Sequence, residues 1–334
     1  MKKLIATTLA AVMTVSLAAC GGSSAQTSTT AAAAPAAEKV ELKVAYADAE
    51  NSIFGKGCAA FAEKLEELSG GSMTCDIYPN GTLGSIPEVA AMIQQGTCDV
   101  SPIVTSSLVD FCPDLGVFDL PFMFADYDAA RDVISGEVGT TLADKLEESS
   151  MHVGSWMTMG FREVTSSKPI NSLADFKGLK IRTQSNEVHQ AIFNSLGAAA
   201  TVISFSELYT AMEQKTVDAQ ENPYVNIANN AYYEVQDYLV ESNHVFQLAA
   251  LLISESTYSK LSDEQKAWVD EAAAYAADAE WQATIDDNEA AKQTCIDKGM
   301  TFVELDHDEL LAATASVYDQ YRDTYSDLLG MMGL

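Results

Sequence analysis

Positive charge is scarce in this chain. Of its 334 residues, 19 are Lys or Arg and 48 are Asp or Glu, so the formal net charge at pH 7 is −29. Only four of the basic residues are arginines. A protein that binds nucleic acid or an anionic lipid surface needs a cluster of basic side chains. The composition therefore excludes nucleic acid as a partner and electrostatic attachment to a membrane.

Paired cysteines and recognisable catalytic motifs are also missing. No Cys-x-x-Cys pair occurs, and the number of cysteines after Cys20 is odd, which argues against a disulfide framework and a zinc site. The histidines are scattered, and there is no nucleophile elbow, phosphate loop or dinucleotide fingerprint. We therefore expect no metal, no cofactor and no enzymatic activity. The later cysteines, whose redox state stays open, are Cys58, Cys75, Cys98, Cys112 and Cys295, and the histidines are His152, His189, His244 and His307.

Long apolar runs are confined to the N-terminus. A basic start, an apolar stretch over 4–17 and the small residues before Cys20 predict a signal peptide over 1–19. Because Leu-Ala-Ala-Cys resembles a bacterial lipobox, we expect Cys20 to carry lipid and 20–38 to be a flexible tether. The alternative is an ordinary cleaved signal with an incidental cysteine. The lipidated form predicts an extracytoplasmic protein attached to the bacterial cell membrane through lipid on Cys20.

The rest of the chain, about 295 of the 334 residues, is long enough for two lobes rather than one core. Strand-like and helix-like segments alternate from Val40 to Val104, an order typical of a parallel sheet with helices on its faces. Further strands are predicted at 152–159, 179–183, 217–220 and 247–254.

A long helix is predicted near the C-terminus. Ser262-Asp263-Glu264-Gln265 has the form of a capping box, and an Ala- and acid-rich helix extends from it to about Lys298. A helix of this length is most useful if it spans both lobes. We therefore predict an α/β fold of two lobes, each a β-sheet flanked by helices, with the long helix crossing both.

Two of the four arginines, Arg162 and Arg182, lie within 21 residues of each other, each at the edge of an apolar segment. Arginine presents a planar fork of donors that a carboxylate can meet with two parallel bonds, and its charge persists at any physiological pH. The spacing therefore predicts a site for a small carboxylate. Two structural ion pairs are an equally good explanation of the spacing alone.

Five further candidates follow the first and third predicted strands: Tyr46, Asp48 and Asn51, and then Thr105 and Ser106. Ligands of open α/β sheets bind outside the carboxyl ends of the strands, so these side chains are candidates to hold ligand hydroxyls. The alternative is that they are polar because loops generally are.

A series of short motifs covers most of the chain. They are Gly160-Phe161-Arg162, Asp175-Phe176-Lys177-Gly178-Leu179-Lys180-Ile181-Arg182, Leu196-Gly197-Ala198, Phe205-Ser206-Glu207-Leu208-Tyr209-Thr210-Ala211-Met212, Val217-Asp218-Ala219-Gln220-Glu221-Asn222-Pro223, Tyr233-Glu234-Val235-Gln236 and Asn243-His244, with Gly81-Thr82-Leu83-Gly84-Ser85, Gly96-Thr97-Cys98-Asp99 and Asp119-Leu120-Pro121-Phe122 upstream. Together they resemble the solute receptors of tripartite ATP-independent periplasmic (TRAP) transporters, the DctP family, over nearly all of 40–334.

The resemblance implies a periplasmic-binding-protein-like fold that closes on its ligand about a hinge. The lobes it suggests are 39–159 plus about 248–287, and 160–247 plus about 288–334. It also implies delivery of an organic acid to a sodium-driven pair of membrane subunits, one small and one large. We expect the receptor itself to be a monomer.

The resemblance further implies roles for four residues. Arg182 matches the arginine that pairs with the ligand carboxylate, Arg162 and Asn222 match assisting residues, and Phe205 matches an aromatic that packs on the ligand. The chain departs from the sugar-acid receptors of this family at Val104-Thr105-Ser106, where some of them carry an acidic residue.

We favour a sugar acid such as a uronate as the ligand, because the first-lobe loops offer several partners for hydroxyls. A C4-dicarboxylate or another keto or hydroxy acid is the alternative. Two rival functions are a receptor of this design that serves a sensor kinase and an exported hydrolase, although no catalytic constellation supports the latter.

Overall fold

The computed structural model describes residues 39–334. The predicted signal peptide, the lipid on Cys20 and the tether concern residues outside this range. Inside it, no helix combines the length and the hydropathy that crossing a membrane requires.

Strands and helices alternate along the described chain. The strands are β1 Val40–Ala45, β2 Met73–Tyr78, β3 Val100–Val104, β4 Met151–Ser166, β5 Lys180–Thr183, β6 Ala199–Val202, β7 Ala219–Pro223, β8 Tyr238–Glu241, β9 Phe246–Ser254 and β10 Thr301–Glu304. The helices are α1 Ile53–Leu68, α2 Ile86–Gln95, α3 Tyr127–Ile134, α4 Glu137–Glu147, α5 Glu187–Ser195, α6 Leu208–Glu213, α7 Tyr224–Asn229, α8 Glu255–Tyr258, α9 Asp263–Asp297, α10 His307–Tyr321 and α11 Ser326–Met331.

The strands form one hydrogen-bonded path in the order β2-β1-β3-β9-β4-β7-β5-β6, with β8 added to β4 and β10 to β8. The predicted parallel pairing of the early strands is confirmed, because β1 lies parallel to both β2 and β3. Strand β9 is antiparallel to β3 and to β4, so the sheet as a whole is mixed.

Strand β4 is the connection between the two parts of this path. Its residues 151–161 pair with β9, and 162–166 pair with β7 and β8. The register shifts between Thr158 and Gly160, where Gly160 has φ of 81°. A Cβ at Gly160 would lie 2.2 Å from Tyr127 Oη, so both the conformation and the space require glycine.

This strand was predicted from the sequence to end at Met159, and that prediction is wrong. The strand continues to Ser166 through seven further residues, which include the buried Arg162 and Glu163. These polar side chains interrupt the apolar pattern from which a buried strand is predicted. Arg162 therefore lies inside a long strand and not at the edge of an apolar segment.

Helix α9 has 35 residues and confirms the predicted long helix. The capping box is formed: Gln265 N donates to Ser262 Oγ at 3.2 Å, and Ser262 N donates to Gln265 Oε1 at 2.9 Å. The helix packs against α1, β4 and α7. It therefore contacts elements on both sides of the point where β4 changes partners.

A buried polar ladder fixes α9 to β4. Glu280, Thr284 and Asn288 are four residues apart and so share one face of the helix. Glu280 Oε2 accepts from Thr158 N at 3.1 Å, and Thr284 Oγ1 donates to Thr158 O at 3.2 Å. Asn288 Nδ2 donates to Met159 O at 3.0 Å. The ladder thus holds the strand backbone beside its register shift.

Three short strands of four residues each, β6, β8 and β10, were not predicted from the sequence. Strand β7 was predicted two residues too early and is found at Ala219–Pro223. All of these segments are too short to carry a period, so only their neighbours in the sheet define them.

Candidate functional site

Arg182 is a buried cation for which residues 39–334 provide no ion-pair partner. It lies on β5, next to both β6 and β7, and only 3% of the residue is exposed. Its Nε donates to Ile203 O at 2.8 Å. Within 39–334 its two Nη groups make no hydrogen bond, and no carboxylate forms an ion pair with it. Burial lowers the pKa of Arg182 to about 10, which leaves it charged at neutral pH.

Arg162, by contrast, is almost fully engaged by protein groups. Its Nε forms an ion pair with Glu221, whose side chain has no exposure. Arg162 Nη1 donates to Gln247 Oε1 at 2.8 Å, and Nη2 donates to Glu221 O at 2.6 Å and to Asn222 Oδ1 at 3.3 Å. The two predicted arginines therefore differ: one is held in a structural ion pair, and four of the five N–H groups of the other find no acceptor among residues 39–334.

Glu221, on β7, is the anionic centre of this region. His244 Nε2 lies 3.3 Å from Glu221 Oε2, and His189 Nδ1 lies 3.6 Å from the same atom. Burial alone would raise the pKa of Glu221, but Arg162 and the two histidines outweigh it and hold the pKa well below its ordinary value. The side chain is therefore a carboxylate at neutral pH.

Asn222 is buried, and its amide is oriented by two neighbours. Its Oδ1 accepts from Arg162, and its Nδ2 donates to Gln220 Oε1 at 2.5 Å. Phe205 is half-buried at the start of the short 3₁₀ turn Phe205–Glu207. This turn begins two residues after Ile203, the residue whose carbonyl accepts from Arg182.

The candidates after β1 differ in burial. Tyr46 and Asp48 are buried, whereas Asn51 is exposed in the turn before α1. Burial raises the pKa of Asp48 to about 6, so a fraction of this carboxyl is protonated near neutral pH. Burial also raises the pKa of Tyr46 above its ordinary value, which keeps its hydroxyl a donor.

Thr105 and Ser106 are both fully buried in a 3₁₀ turn after β3, and their hydroxyls already have protein partners. Thr105 Oγ1 donates to Leu248 O at 3.2 Å. Gln247 Nε2 donates to Ser106 Oγ at 3.2 Å. Since Gln247 also accepts from Arg162, Ser106 is connected to the arginine region through one side chain.

Four members of this polar region were not predicted from the sequence: Glu221, Gln247, His189 and Asp119. The histidines are scattered along the sequence, yet two of the four converge on one carboxylate. The only sequence signal was the presence of polar residues inside apolar segments, as with Gln247 at the start of β9. That signal does not reveal which polar residues meet, because their contacts span up to 141 positions in the chain.

Chemically, this region can bind an anion. It presents a charged guanidinium whose Nη donors are unused by the described part of the chain, and the neighbouring cation Arg162 is paired with Glu221. A small carboxylate could accept two parallel hydrogen bonds from Arg182 without displacing a protein group. No group of three or more potential metal ligands occurs within 39–334.

Residues 44–327 match the model of the family described as bacterial extracellular solute-binding protein, family 7, or DctP. The chain therefore belongs to this family. Its members are solute-binding receptors of transporters, as the sequence motifs implied, and are not enzymes.

Curated and solved relatives agree with this assignment. The C4-dicarboxylate-binding periplasmic protein DctP of Rhodobacter capsulatus is 32% identical over 299 residues, which are 88% of this chain and 89% of that protein. The sugar acid binding protein DctPAm of Advenella mimigardefordensis, solved in complex with galactonate, has a TM-score of 0.85 at 31% identity, covering 89% of this chain and 98% of that one. A TRAP periplasmic solute binding protein of Shewanella oneidensis, with bound succinate, has a TM-score of 0.85 at 25% identity, over 88% and 98% of the two chains. The predicted α/β fold with its long helix is thus confirmed.

Proposed function

We propose that this TRAP-type receptor binds one small organic acid through a pairing between the ligand carboxylate and Arg182. The observation that carries the proposal is the state of this residue: it is buried and charged, and its Nη groups have no protein acceptor within 39–334. A buried charge without a hydrogen-bonded counter-ion is costly, and a ligand carboxylate that pairs with it lowers that cost. Each of the two parallel hydrogen bonds contributes about 1.5–3 kcal/mol.

Arg162 and Asn222 support this pairing in different ways. Arg162 has one N–H of Nη1 beyond those used by Glu221, Gln247 and Asn222, and this donor can reach a second ligand oxygen. The Asn222 amide is held by Arg162 and Gln220 and can contribute to the same oxygen. The half-buried ring of Phe205 offers an apolar surface to the carbon skeleton of the ligand.

A sugar acid such as a uronate is the favoured ligand. The first-lobe candidates are Tyr46, Asp48, Asn51, Thr105 and Ser106, all of which can hydrogen-bond to hydroxyls. None of them is cationic, so this set would not balance a second carboxylate. A C4-dicarboxylate or another keto or hydroxy acid is the alternative. Two relatives support it: the C4-dicarboxylate-binding protein DctP of Rhodobacter capsulatus and the Shewanella oneidensis structure with bound succinate.

The proposal also includes delivery of the bound acid to a membrane transporter. Lipid on Cys20 would anchor the receptor outside the cell membrane, and 20–38 would serve as its tether. The two lobes, 39–159 plus about 248–287 and 160–247 plus about 288–334, would close around the ligand. As a monomer, the closed receptor would dock on the small and large membrane subunits of a sodium-coupled transporter. A receptor that feeds a sensor is the alternative.

The test is a comparison of ligand affinities for the parent protein and Arg182→Lys, measured by calorimetry after unfolding and refolding to strip bound ligand. The probes are glucuronate, galactonate, succinate and neutral galactose. We expect one acid to bind the parent and galactose not to bind. Arg182→Lys is expected to lose about tenfold to a hundredfold in affinity, because lysine cannot form the two parallel bonds.

The matched control is Arg322→Lys, the same substitution at an exposed position. It is expected to bind as the parent does. Binding of galactose but of no acid, or parent-like affinity in Arg182→Lys, would contradict the proposal. Uptake of the acid into vesicles that contain the membrane subunits, with and without a sodium gradient, separates transport from sensing.

A further inference from the structure

We propose that His189 is a positively charged positioning residue, which joins the Arg162–Glu221 pair to Asp119 and thereby makes acid binding depend on pH. This inference rests on the proposed function, because it names a group that sets the charge of the proposed carboxylate site. His189 does not contact the ligand in this proposal. It acts through Glu221, and through Glu221 on Arg162.

The geometry places His189 between two carboxyl groups. Its Nε2 lies 3.1 Å from Asp119 Oδ1, and its Nδ1 lies 3.6 Å from Glu221 Oε2. All three side chains are at most 1% exposed, so bulk solvent screens the interactions between their charges only weakly. Gln184 Nε2 lies 3.4 Å from both ring nitrogens, so this amide can donate to a ring nitrogen that lacks a proton. The doubly protonated ring is the state that places a positive charge between the two carboxylates, at hydrogen-bond distance from Asp119 and at ion-pair distance from Glu221.

Besides His189, a second donor, Asn186, holds the Asp119 carboxylate in position. Asn186 Nδ2 donates to Asp119 Oδ2 at 2.8 Å and to Ser106 O at 3.2 Å. Asn186 also caps α5, since its Oδ1 accepts from His189 N at 3.2 Å. The first turn of α5 is therefore tied to segments that follow β3, while its histidine faces β7 and β4.

The charged and titratable groups around His189 favour the imidazolium. Arg162 on β4 and His244 before β9 contact the same Glu221 oxygen that lies near His189, and Glu187 on α5 lines a cavity together with residues of α10. Burial alone would lower the pKa of His189, but Asp119 and Glu221 outweigh it and raise the pKa above 6.5. Burial lowers the pKa of His244, which is therefore neutral.

The charge balance gives the functional consequence. With His189 charged, the cations Arg162, Arg182 and His189 exceed the anions Glu221 and Asp119 by one, and the ligand carboxylate completes the balance. With His189 neutral, the cluster is balanced before the ligand arrives, and the ligand adds an uncompensated buried negative charge. Affinity for an acid should therefore be highest while His189 is protonated, and should fall as the pH rises through its raised pKa.

The first experiment follows the histidine ring directly in the purified protein without ligand. Carbon-13-labelled histidine gives one Cε1–H signal per ring, and comparison with His189→Gln assigns the signal of residue 189. We expect this ring to titrate with a midpoint above about 6.5, the ordinary value for imidazole. In Asp119→Asn, which removes one of the flanking carboxylates, the midpoint should move down. A ring that is neutral at pH 6.5 in the parent would overturn the proposal.

The second experiment measures affinity for glucuronate, galactonate and succinate by calorimetry from pH 6 to 9. The affinity of the parent should fall on the order of tenfold as the pH rises. His189→Gln should already have this lower affinity at pH 6. His307→Gln, at an exposed position, is the control and should retain the pH dependence of the parent. Equal pH profiles for the parent and His189→Gln would refute the role of His189. If none of these acids binds the parent, the proposed function fails, and the ring titration still decides the charge of His189.

Discussion

Replacing Glu280 by glutamine is expected to stabilise the protein at neutral pH. Glu280 is fully buried, and its Oε1 lies 3.1 Å from Thr284 Oγ1. The same hydroxyl also lies 3.2 Å from Thr158 O. A hydroxyl has one proton, so Thr284 can donate to the carbonyl and still bond to Glu280 only if the carboxyl is protonated and donates to it. Glutamine offers the same pattern, with Nε2 as the donor.

The magnitude follows from the proton that the folded state retains. Burial raises the pKa of Glu280 from 4.5 to about 8. Between these values the folded protein holds a proton that the unfolded chain has released, so stability falls as the pH rises towards 8. Each pH unit in this window costs about 1.4 kcal/mol, or roughly 3 kcal/mol by pH 7. The second amide N–H of glutamine costs about 1 kcal/mol if it stays unpaired. The expected net gain is therefore about 2 kcal/mol at pH 7 and near zero at pH 5.

The assay is urea denaturation of the parent and Glu280→Gln at pH 5, 6, 7 and 8, supported by melting curves. At pH 7 the variant should melt about 4 °C higher. Its stability should also fall less steeply with pH than that of the parent. Glu271→Gln, at an exposed position of the same helix, is the control and should leave both quantities unchanged. A variant that is less stable than the parent at pH 7, or that has the same pH dependence, would refute the reasoning.

Two further predictions concern the strand connection and the N-terminus, in addition to those for Arg182 and His189. Gly160→Ala should destabilise the protein by more than about 2 kcal/mol, because φ there is 81° and the new Cβ would lie 2.2 Å from Tyr127 Oη. Denaturation measures this loss, and parent-like stability would show that β4 can rearrange. Cys20→Ser should abolish incorporation of labelled fatty acid and move the protein from the membrane fraction to the soluble fraction of cells. Continued labelling of the variant would contradict lipidation at Cys20.

Local signals predicted the elements whose causes are local. Helix α9 was expected from the capping box at Ser262 to about Lys298 and is found at Asp263–Asp297. Its start is defined by hydrogen bonds between residues three apart, so the sequence contains all the information needed. The early strands and helices were likewise found because their apolar periods are complete.

The second half of β4 shows why other elements were missed. Its residues include Arg162 and Glu163, which are buried because partners from β7 and the β8–β9 connection surround them. Those partners lie more than 55 positions away in the chain. A short window of sequence shows only that the apolar pattern stops. The strand was therefore predicted to end at Met159.

The candidate site was predicted in part. The family motifs pointed to Arg182, Arg162, Asn222 and Phe205, and the structure places Arg162 and Asn222 in direct contact. Whether an arginine is structural or free to bind a ligand was open from spacing alone. The contacts distinguish the two, because Glu221 engages Arg162, and no carboxylate within 39–334 pairs with Arg182.

By itself the sequence determined the family, the order of the main elements, the long helix and the scarcity of positive charge that makes two nearby arginines informative. These properties depend on composition, on local capping and on motifs that can be read along the chain. Only the tertiary structure decided which ionisable groups share a buried space. It brought Asp119, His189 and Glu221 together from three distant segments, and it left Arg182 without an anion in the described chain. Charge state and pKa depend on burial and on neighbours within a few ångströms, and sequence order does not specify those distances.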